Sequence, residues 1–148
     1  MATTRETVKL LCKSILTRLE NKKSIMYPPR LRQIVQDEIY TLIGTFIMTD
    51  EDLRDKTLAK MGARADLLQD SQFTESDQYK AARAVVRASF GDDVLNGFYY
   101  LKSMKEIAGI IAKYMMRSSH IDDVFDSDED MERQVVETMQ KFNPAELH

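Results

Sequence analysis

Residues 101–142 read LKSMKEIAGIIAKYMMRSSHIDDVFDSDEDMERQVVETMQKF. An amphipathic run, Leu101 to Arg117, passes through Ser118 to Phe125 into the acidic box Asp126-Ser127-Asp128-Glu129-Asp130, and a second amphipathic run, Met131 to Phe142, follows. Apolar residues three and four apart on both sides of the box predict two helices joined by a turn. The same plan stands earlier in the chain, as Leu31 to Ile47, then Thr49-Asp50-Glu51-Asp52, then Leu53 to Met61. Laid side by side, Thr49 to Met61 and Ser127 to Met139 share an opening hydroxyl, an Asp-Glu-Asp triplet, apolar residues at equal offsets and a closing Met. Such self-similarity predicts one supersecondary unit used twice, neither copy able to bury its apolar face alone. With Ile34 set against Ile107, the box comes five residues later in the second copy, and the excess lies around His120 to Phe125.

The 148 residues suffice for one real core. Five Gly and three Pro are too few for a turn-rich β architecture. The fold class expected is therefore all-α, with about six helices in two similar three-helix units forming one compact bundle. The first unit spans 1–70, a polar linker without periodicity 71–76, and the second unit 77–148.

Within that frame, Thr3 and Glu6 have capping-box spacing and start a helix whose stripe is Val8, Leu11, Cys12, Ile15, Leu16 and Leu19. A second helix begins near Pro29 with core residues Leu31, Ile34, Val35, Ile39, Leu42, Ile43, Phe46 and Ile47, a stripe wide enough for more than one neighbour. Gly44 in that helix points to a close helix crossing. The third helix, capped at Thr49 or Asp50, buries Leu53, Thr57, Leu58 and Met61 and ends at Gly62. A fourth is capped by Thr74 or Ser76 and turns in Tyr79, Ala82, Val85, Val86 and Phe90. Asn96-Gly97 reads as a tight turn. The fifth helix runs near Tyr99 to Arg117, burying Leu101, Met104, Ile107, Ala108, Ile111 and Met115. The last, capped at Asp126 or Ser127, turns in Met131, Val135, Met139 and Phe142.

The net charge of −3 conceals an asymmetry. Residues 1–34 hold eight Lys/Arg against Glu6 and Glu20, a local +6, while residues 121–148 hold nine acids against Arg133 and Lys141, a local −7. The two ends can attract each other within one fold, attract a neighbouring copy, or meet different partners. The single Cys12 excludes an internal disulfide and a cysteine metal cluster, and its place on an apolar stripe predicts a buried, inert side chain. No leader-like start and no apolar run of the roughly 20 residues needed to span a bilayer is present, so a cytoplasmic location away from membranes is expected.

Motifs that carry chemistry are sparse. Asp126, Asp128, Asp130 and Glu137 stand at positions 1, 3, 5 and 12 of an EF-hand loop, but Met131 holds the position that needs Gly, and Arg133 one that is normally apolar. A helix cap with an acidic first turn explains the same residues without an ion. His120 and His148 are the only histidines, too few for a multi-histidine zinc site. Beside Asp122 and Asp123, His120 could do acid–base work because histidine changes charge near neutral pH, but an ordinary surface-loop histidine is the reading preferred. A Gly-rich phosphate loop, a nucleophile elbow and a metalloprotease pair are all missing from the sequence. The expectation is a non-enzyme without cofactor. Lys9, Lys13, Arg18, Lys22, Lys23, Arg30 and Arg32 could neutralise nucleic-acid phosphates with Tyr27 stacking on a base, although the chain as a whole is acidic. The residues singled out for partner binding are Lys13, Lys22, Lys23, Arg30, His120, Ile121 and Phe125.

Ser119-His120-Ile121-Asp122-Asp123-Val124-Phe125, the acid-rich turn, Met131-Glu132-Arg133 and the closing Met139 to Phe142 resemble a bacterial family described as a domain of unknown function, number five hundred and seven. The helix around Ile34 to Phe46 and the acidic box before Leu53 are similar to the front half of that family, so the likeness spans about residues 9–142. It implies a helical bacterial protein with no assigned activity and transfers no functional residue. Taken with the charge asymmetry, the reading is a protein-interaction or adaptor module that binds a partner or itself, with nucleic-acid binding and a divalent-metal site as alternatives.

Overall fold

Thr4, in extended backbone, opens the first helix; its N–H donates to Thr7 Oγ1 at 3.0 Å, and α1 follows as Arg5–Asn21. The computed structural model describes residues 2–146. The Thr3–Glu6 box expected from spacing is not the one used. Thr3 is buried and serves another helix, its hydroxyl accepting from Asp50 N–H at 2.8 Å and donating to the Gly97 carbonyl at 2.6 Å.

After β1 (Ile25–Met26), the Pro29–Leu31 3-10 turn leads into α2 (Arg32–Ile43), which tightens through Gly44–Phe46 into β2 (Ile47–Thr49). Next come α3 (Asp50–Met61), closed by Gly62 in the left-handed region at φ 64°, a 3-10 turn Ala65–Gln69, α4 (Ser71–Thr74) and α5 (Asp77–Ser89). The second half continues through β3 (Val94–Leu95), β4 (Phe98–Tyr100), α6 (Met104–Arg117), β5 (Asp123–Val124) and α7 (Asp128–Lys141).

The chain is thus mostly helical, but the all-α expectation needs correction, because among the described residues five short strands stand between the helices. Their cause is the obligation to pair the backbone groups of buried connectors. Ile25 and Met26 pair antiparallel with Val124 and Asp123, and Ile47–Thr49 pairs with Phe98–Tyr100. The latter strand pairs back on Val94–Leu95 across Asn96 and Gly97, whose φ values of 53° and 83° suit the two-residue hairpin turn. Tyr99 and Tyr100 are therefore strand residues. The helix after them begins at Met104, where Ser103 Oγ accepts from Glu106 N–H at 3.1 Å.

Helices α1, α2, α6 and α7 pack in a ring, each against its two neighbours. Their core contains Leu11, Ile15, Leu16 and Leu19 of α1, Val35, Ile39 and Ile43 of α2, Ile107, Ile111 and Met115 of α6, and Met131, Val135 and Met139 of α7. It thus draws on both halves of the chain. Helices α3 and α5 pack on each other around a smaller cluster, Leu53, Val86, Phe90 and Tyr99. Arg5 ties α1 to the end of α2, donating to the carbonyls of Gly44 at 2.6 Å and Ile47 at 2.7 Å, to Tyr40 at 3.0 Å and to Asp52 at 3.0 Å. It satisfies carbonyls that a helix end leaves open. The close approach at Gly44 is to this guanidinium, 3.0 Å from where a Cβ would stand, rather than a helix crossing.

Two expected core residues of α2 are not in the core. Ile34 is 44% and Leu42 37% exposed, because the ring covers the side of α2 that carries Val35, Ile39 and Ile43 and leaves the flank beside α6 open. Val85 and Leu101, also expected inside, are exposed.

Candidate functional site

The open flank of α2 faces the second half of α6, and the two helices with the following turn border an open groove of about 460 Å³. Glu38 and Leu42 form one wall, Ile110, Lys113, Tyr114 and Arg117 the other, and Ser118, Ser119 and His120 close the end. Ile34, Glu38 and Leu42 recur at intervals of four, so they share one face of α2. On α6, Ile110, Tyr114 and Arg117 do the same at four and three.

The polar groups converge on Glu38. Its Oε2 accepts from the Tyr114 hydroxyl, while its Oε1 lies 3.0 Å from His120 Nδ1. Nδ1 is shut off from solvent and out of line for a regular hydrogen bond, so the contact is an ion pair when the imidazole is protonated. Burial and the bond to Glu38 push the Tyr114 phenol up to about 12, which keeps it a donor. The turn is stiffened by Ser118, whose Oγ accepts from His120 N–H at 3.1 Å. Around this engaged carboxylate, Lys113 and Arg117 are exposed, and neither forms an ion pair among the described residues. The cavity therefore offers apolar walls and unspent positive charge.

His120 thus pairs with Glu38, a residue 82 positions away that local reading could not select, while Asp122 and Asp123 stand exposed. His148 lies outside the described residues. Ile121, expected to meet a partner, is 8% exposed and part of the main core. Phe125 is 59% exposed beyond β5, with its N–H donating to Ser24 O at 2.8 Å. Lys13, Lys22, Lys23 and Arg30 are exposed and without ion pairs among the described residues. Lys13 lines a shallow pocket between α1 and α7 together with Arg18 and Lys141. Other members of the basic run are engaged, Arg18 with Glu137 at 2.9 Å and Arg32 with Glu20 at 2.9 Å. Tyr27 is buried, its hydroxyl donating to Glu20, so it is not available to stack on a base.

The four carboxylates at EF-hand spacing do not converge. Asp128 to Lys141 is helix, so the last three lie on α7 and not around a loop. Asp126 Oδ2 accepts from Ser24 and from Gln134 Nε2, Asp130 pairs with Arg133 and Glu137 with Arg18. Among the described residues no group of three or more His, Cys, Asp or Glu is placed to hold a metal ion, and no helix is long and apolar enough to cross a membrane. Cys12 is fully buried, and burial pushes its thiol up to about 12, which suppresses the reactive thiolate.

No family model, curated protein or solved structure matches this chain. The site residues missed in the sequence are Glu38, Lys113, Tyr114 and Arg117. The available signal was the surplus width of the apolar stripe on α2, where Ile34 and Leu42 exceed what one neighbour can cover.

Proposed function

We propose that this chain is a non-enzymatic protein-interaction module whose partner docks in the groove between α2 and α6. The observation that carries the reading is the groove itself, where Leu42 and Ile110 are flanked by Lys113 and Arg117, while Glu38, the carboxylate lining it among the described residues, accepts from Tyr114 and lies beside His120. Apolar centre and charged rim are the composition of recognition surfaces. The charge asymmetry of the chain is met within the fold in part, since α1 packs against α7 and Arg18 meets Glu137, while Lys13, Lys22, Lys23 and Arg30 form no ion pair among the described residues. A photo-reactive residue at position 42, with a control at the exposed position 72, tests the reading in extracts of the native cell. A discrete adduct from 42 alone, lost on Lys113→Glu with Arg117→Glu, is expected; absence of any adduct specific to 42 refutes it.

The groove also sits where two otherwise matching halves differ. We read α1–β1–α2–β2–α3 and α5–β3/β4–α6–β5–α7 as two versions of one unit. Val8, Ile15 and Leu19 match Tyr79, Val86 and Phe90; Val35, Ile39 and Ile43 match Ile107, Ile111 and Met115; Leu53 and Thr57 match Met131 and Val135, and all are buried. Each half completes the other, β1 with β5 and β2 with β4, α1 with α7 and α3 with α5. In this register Val35, not Ile34, stands against Ile107. Ten positions then separate Ile43 from Leu53, and sixteen separate Met115 from Met131, an excess of six occupied by the turn that carries His120.

A second reading, nucleic-acid binding, is favoured by the exposure of Lys13, Lys22, Lys23 and Arg30. It predicts a gel shift of DNA or RNA that weakens with Lys13→Glu, Lys22→Glu and Lys23→Glu; no shift by the unaltered protein at low salt dismisses it.

A further inference from the structure

The class of partner follows from the walls of the groove, granted the docking reading above. Both walls are α-helices, whose mid-helix N–H and C=O groups are bonded internally, so an extended strand would find no ladder to join. A helix suits the shape better, because side chains recurring every three or four residues from a third helix fit between the rows Ile34–Glu38–Leu42 and Ile110–Tyr114–Arg117. At about 460 Å³ the cavity is of the size that holds a few anchoring side chains.

Charge selects among helices. Lys113 and Arg117 are one turn apart on α6, exposed and without ion pairs among the described residues, whereas Glu38 accepts from the Tyr114 hydroxyl and has His120 Nδ1 3.0 Å from its other oxygen. A second copy of this chain is a poor occupant. Its acid-started helices, α3 and α7, already bury their apolar faces, with Leu53 and Leu58 inside on one and Met131, Val135 and Met139 on the other. We infer that the groove receives an acidic amphipathic helix of a different protein, with apolar side chains against Leu42 and Ile110 and carboxylates against Lys113 and Arg117.

A designed helical peptide about five turns long, Leu at every third or fourth position and Glu on the flanks, labelled for fluorescence polarisation, is the probe. A twin peptide with Lys in place of Glu is its control. Saturable binding of the acidic peptide to the full chain is expected, with the basic one at least about tenfold weaker. Leu42→Asp should weaken the acidic peptide by about tenfold or more, and Lys113→Glu with Arg117→Glu should transfer preference to the basic peptide. Far-ultraviolet circular dichroism and melting confirm that these surface variants fold. Equal binding of the two peptides, indifference to the substitutions, or no binding of either overturns the inference. If position 42 yields an adduct in extracts while both peptides fail, docking at the groove stands and the acidic helix falls; if no adduct specific to 42 forms, the docking reading fails as well.

Discussion

Thr49→Ala and Ser127→Ala remove the same atom from corresponding helix starts, and the surroundings predict unequal costs. Thr49 Oγ1 accepts from Asp52 N–H at 3.2 Å, and Ser127 Oγ accepts from Asp130 N–H at 3.1 Å, so each variant loses a cap of about 1 kcal/mol. The equality ends there. Thr49 is fully buried, and its hydroxyl also donates to Asp52 Oδ2 at 3.0 Å, while Ser127 is exposed. Asp52 Oδ2 keeps Arg5 and the Thr49 N–H after the change, so the lost bond is worth about 1 kcal/mol. The buried methyl adds about 0.8 kcal/mol.

Thr49→Ala should therefore cost about 3 kcal/mol and Ser127→Ala about 1 kcal/mol. In a chain of this size that is roughly 6–12 °C against 2–4 °C in melting temperature. Urea unfolding with unchanged slope gives the two values directly, and Thr49→Ser, which loses only the methyl, should fall near 1 kcal/mol. Equal costs within about 0.5 kcal/mol, or a larger cost at Ser127, would refute the reasoning that α3 starts inside the fold and α7 at its surface.

Gly97→Ala should cost at least 1–3 kcal/mol, since φ is +83° and an added Cβ would lie 2.6 Å from Thr3 Cγ2; a melting temperature unchanged from the parent contradicts this. Cys12 loses its proton near 9.0 when exposed and at about 12 when folded, so between those values the folded state holds more protons and stability falls as pH rises. Cys12→Ala should flatten the decline between pH 9 and 12 by up to about 1.4 kcal/mol per pH unit, and parallel slopes for parent and variant exclude the effect. A double-mutant cycle on Arg18 and Glu137, both partly exposed at 2.9 Å, should give a coupling of about 0–1 kcal/mol that shrinks in high salt; a value above about 2 kcal/mol would mean that charge rather than apolar contact joins α1 to α7.

Helix positions were legible because burial follows the 3.6-residue period closely. All six residues of the stripe read on α1 are buried, as are Met131, Val135 and Met139 on α7. The strands were not legible, since two or three residues such as Ile25-Met26 carry no period, and what makes Ile25-Met26 a strand is a partner about a hundred positions away. The aromatic run Phe98-Tyr99-Tyr100 has strand propensity, yet its position ahead of an amphipathic helix disguised it. The site was half legible. The turn Ser118 to Phe125 stood out as an excess over the first half, whereas Glu38 could be joined to His120 only once α2 and α6 lay side by side.

The location of the groove bears on why charge asymmetry misleads. A basic start and an acidic end invite a search for partners at either end, and Lys13, Lys22 and Lys23 were the natural candidates. In the fold α1 lies on α7, and an opposite charge on an internal neighbour serves as well as one on a partner. Lys13, Lys22, Lys23 and Arg30 nevertheless stay without ion pairs among the described residues, and so do Lys113 and Arg117 mid-chain, where the sequence is nearly balanced. Lys113 and Arg117 gain weight because Glu38, the carboxylate lining the same groove, accepts from the Tyr114 phenol, lies beside the His120 imidazole and pairs with neither cation. Uncompensated charge beside uncovered Leu42 distinguishes this face from the lysines of α1, which stand over a helix whose apolar residues are almost all buried. Net charge along the chain locates ends; charge left over after packing locates a surface with something still to bind.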